Sequence, residues 1–236
     1  MEKLIVTLRT PDADQTWCDR LRGEVGEELL DLGLAGLAVN VRDDAVRDSF
    51  MTLTTLDPPV VAVVTIWTQQ YYGLPTRAAI ATLDRECDRL AAYLVTESVP
   101  VAPPDELGER TPGLANVALL RRPEHLDAAT WLDRWHVDHT PVAMATQSTF
   151  GYTQNTVVRA LTPDAPHVSA IVEENFPIEA TRDLHAFFGA ADDAELSDRM
   201  SRMMASTAAF GANENVDTVP TSRYLLRSPF LADAGT

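Results

Sequence analysis

Apolar residues along the chain alternate between two periods. Residues 4–8 form a short apolar run of strand length, after which Leu21, Val25, Leu29 and Leu32 recur at helical spacing. Asp12 or Asp14 can cap that helix, and Gly33 stops it. Residues 36–41 fit a second strand. Pro58 and Pro59 break the chain, and residues 60–67 form a β-branched and aromatic run that fits a third strand. Pro75 opens a second helix with Ala79, Leu83, Leu90 and Leu94 on one side, and residues 99–101 fit a short last strand. The predicted order is β-α-β-β-α-β.

Residues 103–113 are polar and rich in turn formers, and read as a linker. The order then begins again. Strands are expected at 115–120, 150–160, 167–172 and 216–226. One helix is capped by Asp127, and a long helical segment over 178–210 is interrupted at Gly189. The first strands of the two series lie about 112 residues apart, near half of the 236-residue chain. Each series is a ferredoxin-like unit, with both helices on one face of its sheet and the other face bare. Two such sheets in one chain can bury their bare faces against each other and close a barrel. The expected fold is therefore α+β, an intramolecular dimeric α/β-barrel made of tandem repeats: 1–104, a 105–113 linker, and 114–236. Self-association into a homodimer stays open.

Charge and composition narrow the function classes. With 19 basic and 35 acidic residues the net charge is −16, which leaves no basic footprint for nucleic acid or for an anionic membrane surface. The N-terminus lacks a signal-peptide pattern, and no apolar run approaches the roughly 18 residues of a membrane helix, so a cytoplasmic protein is expected. Cys18 and Cys87 are too few for a disulfide framework and read as free thiols. Neither a glycine-rich phosphate loop nor a nucleophile elbow is present, and no cofactor is expected.

The chemistry-bearing residue types concentrate in the second repeat. Trp131, Trp135 and His139 share a helix face at i, i+4 and i+8, and Pro141 is expected to kink or end the helix just after His139, aiming it at a pocket mouth. Histidine suits proton transfer near neutral pH, although on periodicity alone a packed structural histidine is the commoner outcome. Asp133, His136 and His139 form a weaker metal-like stripe; a solvated edge explains Asp133 and His136 better, and no metal site is expected.

Taken together, Leu119-Leu120-Arg121-Arg122-Pro123, the aromatic helix from Trp131 to Trp135, His139-Thr140-Pro141 and Tyr152-Thr153-Gln154-Asn155 resemble the EthD-domain family of the dimeric α/β-barrel superfamily. The resemblance covers roughly residues 114–188. The first repeat lacks the His-x-Pro and Tyr-x-Gln elements, so one site per chain is expected. The resemblance implies cyclase-like, isomerase-like or cofactor-free oxygenase chemistry, or a merely accessory protein, and the fold does not choose among them.

His139 is the expected proton shuttle. Strand alternation puts Tyr152 and Gln154 on one side and Asn155 on the other, so Tyr152 and Gln154 are placed beside His139 as the other catalytic candidates. Asn155 either bonds backbone or lines a pocket. Asn116 is a candidate for burial inside the barrel, and Arg121, at a strand end, could attract an anionic substrate, although a surface salt bridge is the favoured reading. One of Glu173 and Glu174 points inward if its strand continues past Val172; if the strand ends there, both meet water. Trp135, His136, Asn116, Asn155, Glu173 and Trp67 form the expected substrate-binding set, while Trp67, Tyr71, Tyr72, Phe176 and Phe187 are candidate wall residues. The expected function is cofactor-independent acid/base catalysis, of lyase, isomerase or cyclase type, on a hydrophobic carbonyl-containing or polycyclic small molecule. The alternatives are a cofactor-free monooxygenase, a non-catalytic protein that binds a hydrophobic metabolite, and a barrel filled by its own side chains.

Overall fold

The computed structural model describes residues 1–230; the last six residues of the expected second repeat lie outside the described residues. Eight strands close a barrel in the order β1-β3-β2-β8-β5-β7-β6-β4. The strands are β1 (Glu2–Arg9), β2 (Gly36–Val41), β3 (Val60–Thr68), β4 (Arg89–Val101), β5 (Leu114–Leu120), β6 (Gly151–Ala160), β7 (Ala170–Phe176) and β8 (Asp217–Arg227). The order divides into two equivalent four-stranded sheets, β4-β1-β3-β2 and β8-β5-β7-β6, joined edge to edge through β2–β8 and β4–β6. Among the described residues no sheet edge is left open, and the fold is the expected α+β dimeric barrel within one chain.

Helices cover the outer face of each sheet. Helix α1 (15–31) and α2 (Leu74–Asp84) pack over the first sheet; α3 (128–146), α4 (Leu184–Phe188) and α5 (Asp193–Phe210) pack over the second. Asp14, Asp127 and Asp192 cap α1, α3 and α5 by accepting from the backbone N–H groups of Trp17, Thr130 and Glu195. Gly211, at φ 78°, ends α5 in the left-handed conformation that glycine adopts without strain. Both α1 and α3 contain a π turn, Leu21–Val25 and Arg134–His139, and in each helix it follows a first segment of 6 residues. The same irregularity at the same place in both halves is a backbone signature of the repeat.

Several elements differ from the sequence expectation. Helix α2 stops at Asp84, and Leu90 and Leu94 belong to β4, which has 13 residues rather than a short closing run. Strand β7 runs on to Phe176 and so carries both Glu173 and Glu174. The 178–210 segment is a 3-10 turn (Ile178–Thr181) followed by α4 and α5, with Gly189 at φ 61° between them. Residues 105–113 are not a free linker: Gly108 N–H donates to Leu225 O at 2.8 Å and Thr111 N–H to Arg223 O at 2.8 Å, which lays the segment along β8. Among the described residues no helix is long and apolar enough to cross a membrane.

Candidate functional site

Strand alternation sorts the candidate residues into two groups on opposite faces of the second sheet. In β5, Leu114, Ala118 and Leu120 join the core beneath α3 and α5, while Val117 and Leu119 join the barrel interior. Asn116 therefore faces the helices, not the barrel interior as expected. The register then sets Asn116 opposite Glu174 and Glu174 opposite Tyr152, making one cross-strand row under the helices. One step along, Gln154 extends its amide to the Tyr152 hydroxyl at 3.2 Å and to Thr140 Oγ1 at 2.8 Å. Thr140 in turn donates to Trp135 O at 3.1 Å, across the π turn of α3.

This row is an anomaly in its layer. Around it lie Trp131, Trp135, Phe176, Phe187 and Phe210, all buried. Taking the third residues of β1 and β5 as equivalent, the corresponding row of the first sheet is Leu4–Ile66–Leu37, wholly apolar. Unpaired polar groups in such a layer cost stability. Asn116 Oδ1 is buried without a partner. Glu174 keeps some accessible surface, yet burial pushes its carboxyl up to about 7, with no neighbouring charge or donor to offset the effect. Burial, with the Glu174 charge second, also pushes the Tyr152 phenol well above its ordinary range, so the phenol stays protonated and serves as a donor.

The structure does not bring His139 to this row. Pro141 neither ends nor breaks α3, which continues to Thr146. The π turn places Pro141 in the first turn of the following segment, where its missing N–H and its ring are tolerated. His139 turns toward α5: Nδ1 sits 2.9 Å from Ser206 Oγ and the ring packs on Phe210 at 4.8 Å. Burial pulls its pKa down to about 4, so it is neutral at physiological pH and a weak base. His136 lies against the Trp135 ring at 4.4 Å, with Nε2 buried and unpartnered, and burial lowers its pKa as well.

The remaining candidates face the barrel interior. Trp67, Asn155 and Glu173 line a cavity of about 200 Å³, together with Lys3, Glu97 and Arg223. The barrel is therefore not filled by its own side chains. Lys3 pairs with Glu97 at 2.5 Å, and Arg223 pairs with Glu173 at 3.1 Å. Lys3 is the residue that alternation with Ile5 would have assigned to the interior. Arg121 forms the expected strand-end pair, with Asp217 at 2.6 Å, but the pair is buried rather than on the surface. Tyr72 is exposed, and Phe176 and Phe187 belong to the helix-side layer. Among the described residues, no three His, Cys, Asp or Glu side chains converge as a metal site would require.

No known sequence family and no curated protein matches the chain. Solved structures do. An anthrone oxidase-like protein superposes with a TM-score of 0.50 over 99% of this chain and 97% of that one, at 11% identity. A candidate monooxygenase from Lactobacillus acidophilus matches at 0.48 and 8% identity over 96% of both chains. A candidate chlorite dismutase matches at 0.46 and 11% identity over 97% of this chain and 96% of that one. The chain has the dimeric α/β-barrel fold. The likeness extends to the fold alone, and the EthD resemblance rests on the residues quoted for it.

Proposed function

We propose that this chain is a cofactor-independent enzyme that moves a proton on a hydrophobic carbonyl compound held between the second sheet and its helices. The observation that carries the reading is the polar row Asn116–Glu174–Tyr152, set in a layer whose counterpart in the first repeat is wholly apolar. Glu174 is the base: a carboxyl poised near neutrality is a stronger proton acceptor than one at its ordinary value and is still substantially ionised at pH 7. The Tyr152 hydroxyl and the amide of Asn116 are placed to hold the substrate oxygen as charge develops on it. Gln154 and Thr140 fix the orientation of the phenol. His139 is assigned a packing role in this scheme, not the shuttle role suggested by its position in the sequence.

The test does not require the substrate to be identified first. A panel of cyclic and polycyclic ketones is incubated in D2O with the protein, and exchange of the hydrogens α to the carbonyl is followed by NMR. Exchange should rise with pH along a limb near 7 and fall by about two to four orders of magnitude in Glu174→Gln. A variant that exchanges at the wild-type rate refutes the assignment.

An oxygenase is the second reading, because an enolate formed at the same base can pass electrons to dioxygen. The buried aromatic layer of Trp131, Trp135, Phe176 and Phe187 around the row favours it by keeping water from the carbanion, and the anthrone oxidase-like neighbour shares the fold. Oxygen uptake accompanying exchange distinguishes the two.

A further inference from the structure

We propose that the barrel interior is a second ligand site, separate from the row under the helices, and that it takes a small, uncharged, single-ring molecule carrying a carbonyl beside a hydroxyl or N–H. The cavity of about 200 Å³ lies inside the closed barrel, beneath residues 102–105 and 228–230. For scale, an apolar protein cavity of roughly 150 Å³ holds benzene. A substituted ring therefore fits, whereas a polycyclic molecule does not.

The polar groups of the cavity define the ligand. Four of the five charged side chains that line it are already matched: Lys3 with Glu97 at 2.5 Å, and Arg223 with Glu173 at 3.1 Å, the latter carboxylate also accepting from Asn40 at 2.9 Å; the fifth, Asp105, is exposed. A charged ligand would have to break one of these pairs in a low-dielectric site, so the preferred ligand is neutral. Two lining side chains are buried with a polar atom left over. Asn155, 2% exposed, spends its amide N–H on Ile171 O and leaves Oδ1 without a partner. Trp67, 7% exposed, leaves its indole Nε1 without an acceptor. These two groups, in a cavity walled elsewhere by Ile5, Val63 and Ile171 and by Thr65 and Thr153, match a ring that offers a donor and an acceptor of its own. The strand register links them: Lys3 lies opposite Trp67, and Glu97 opposite Asn155, so the Lys3–Glu97 pair bridges the two unpartnered groups. Trp67 comes from the first repeat and Asn155 from the second, so the site exists only when the barrel is closed. This proposal is independent of the reading of Glu174.

The probe is uncharged 5-fluoro-2-hydroxybenzamide, followed by fluorine NMR on the full chain. Binding is expected at roughly millimolar affinity or tighter. Trp67→Phe, which removes the donor and keeps a ring, and Asn155→Ala, which removes the acceptor, should each weaken binding about 3- to 10-fold while the circular dichroism stays that of the wild type. Using both variants keeps the test informative if one of them fails to fold. Tyr152→Phe and Glu174→Gln, on the other face of the sheet, should leave binding unchanged. Absence of binding up to about 10 mM overturns the proposal. So does weakening by Tyr152→Phe or Glu174→Gln with none by Trp67→Phe and Asn155→Ala, which would move the ligand to the helix side.

Discussion

Replacing Glu174 with glutamine should stabilise the protein, and the gain should depend on pH in a way that only a desolvated carboxyl produces. Burial raises the carboxyl from 4.5 to about 7, so the folded state prefers it protonated. The sign follows from linkage: the wild type is most stable where the group is protonated in both states, loses stability as pH rises from about 4.5 through 7, and levels off above that. The full penalty is about 3 kcal/mol, an upper figure because the residual solvent contact of the carboxyl screens part of it. Glutamine has nearly the same shape and never ionises. At about pH 5 the variant should gain less than about 1 kcal/mol over the wild type, and at about pH 8.5 up to about 3 kcal/mol. Urea denaturation at the two pH values reads this directly, as a midpoint shift of roughly 1 M at the higher pH and little at the lower. An equal midpoint difference at both pH values, or a loss of stability at the higher one, would refute the desolvation argument and remove the reason for naming Glu174 the base. A gain in stability paired with lost proton exchange is the signature expected of a functional group held at a stability cost.

Three further outcomes follow from the same structure. His139→Asn should keep proton exchange within a few-fold of wild type, and it should reduce acid sensitivity, because the wild type loses up to about 3 kcal/mol as pH falls from 6.5 toward about 4; denaturation at about pH 4.5 and 7.5 checks this, and loss of exchange would return His139 to the mechanism. Arg121→Met leaves Asp217 buried without its cation and should cost about 3 kcal/mol, read as a fall in Tm of roughly 6–12 °C; an unchanged Tm would show that the Thr55 and Leu56 donors suffice. Tyr152→Phe removes one of the two partners of the Gln154 amide without opening a cavity, and should lower exchange about 10- to 1000-fold with a smaller change in substrate affinity; a change in affinity alone would make the phenol a binding group only.

Much of the architecture is legible in the pattern of the chain. The β-α-β-β-α-β order occurs twice at a near-constant offset, and a sheet with helices on one face must bury the other, so closure of two sheets into a barrel follows from elements that propensity and periodicity can find. Alternation along β6 likewise separates Tyr152 and Gln154 from Asn155 before any contact is known. A difference between the halves is legible too, because all 5 histidines lie in the second.

Tertiary structure decided what those residues face. Whether β7 stops at Val172 or runs to Phe176 is not a local property: the apolar run ends at Val172, but pairing with β5 and β6 carries the strand on and turns Glu173 and Glu174 to opposite sides. The fate of His139 turned on the π turn over Arg134–His139. A straight α-helix would end or kink at Pro141, and the π turn that accommodates the proline also aims His139 at Ser206 and Phe210 of α5, partners 67 or more residues away in the chain. The two ion pairs inside the barrel, Lys3 with Glu97 and Glu173 with Arg223, join residues that no local spacing relates. Local periodicity reports which residues share a face of one element. What that face meets depends on long-range pairing, and the pKa values follow from that pairing, because desolvation depends on every atom packed around the group and not on its neighbours in sequence.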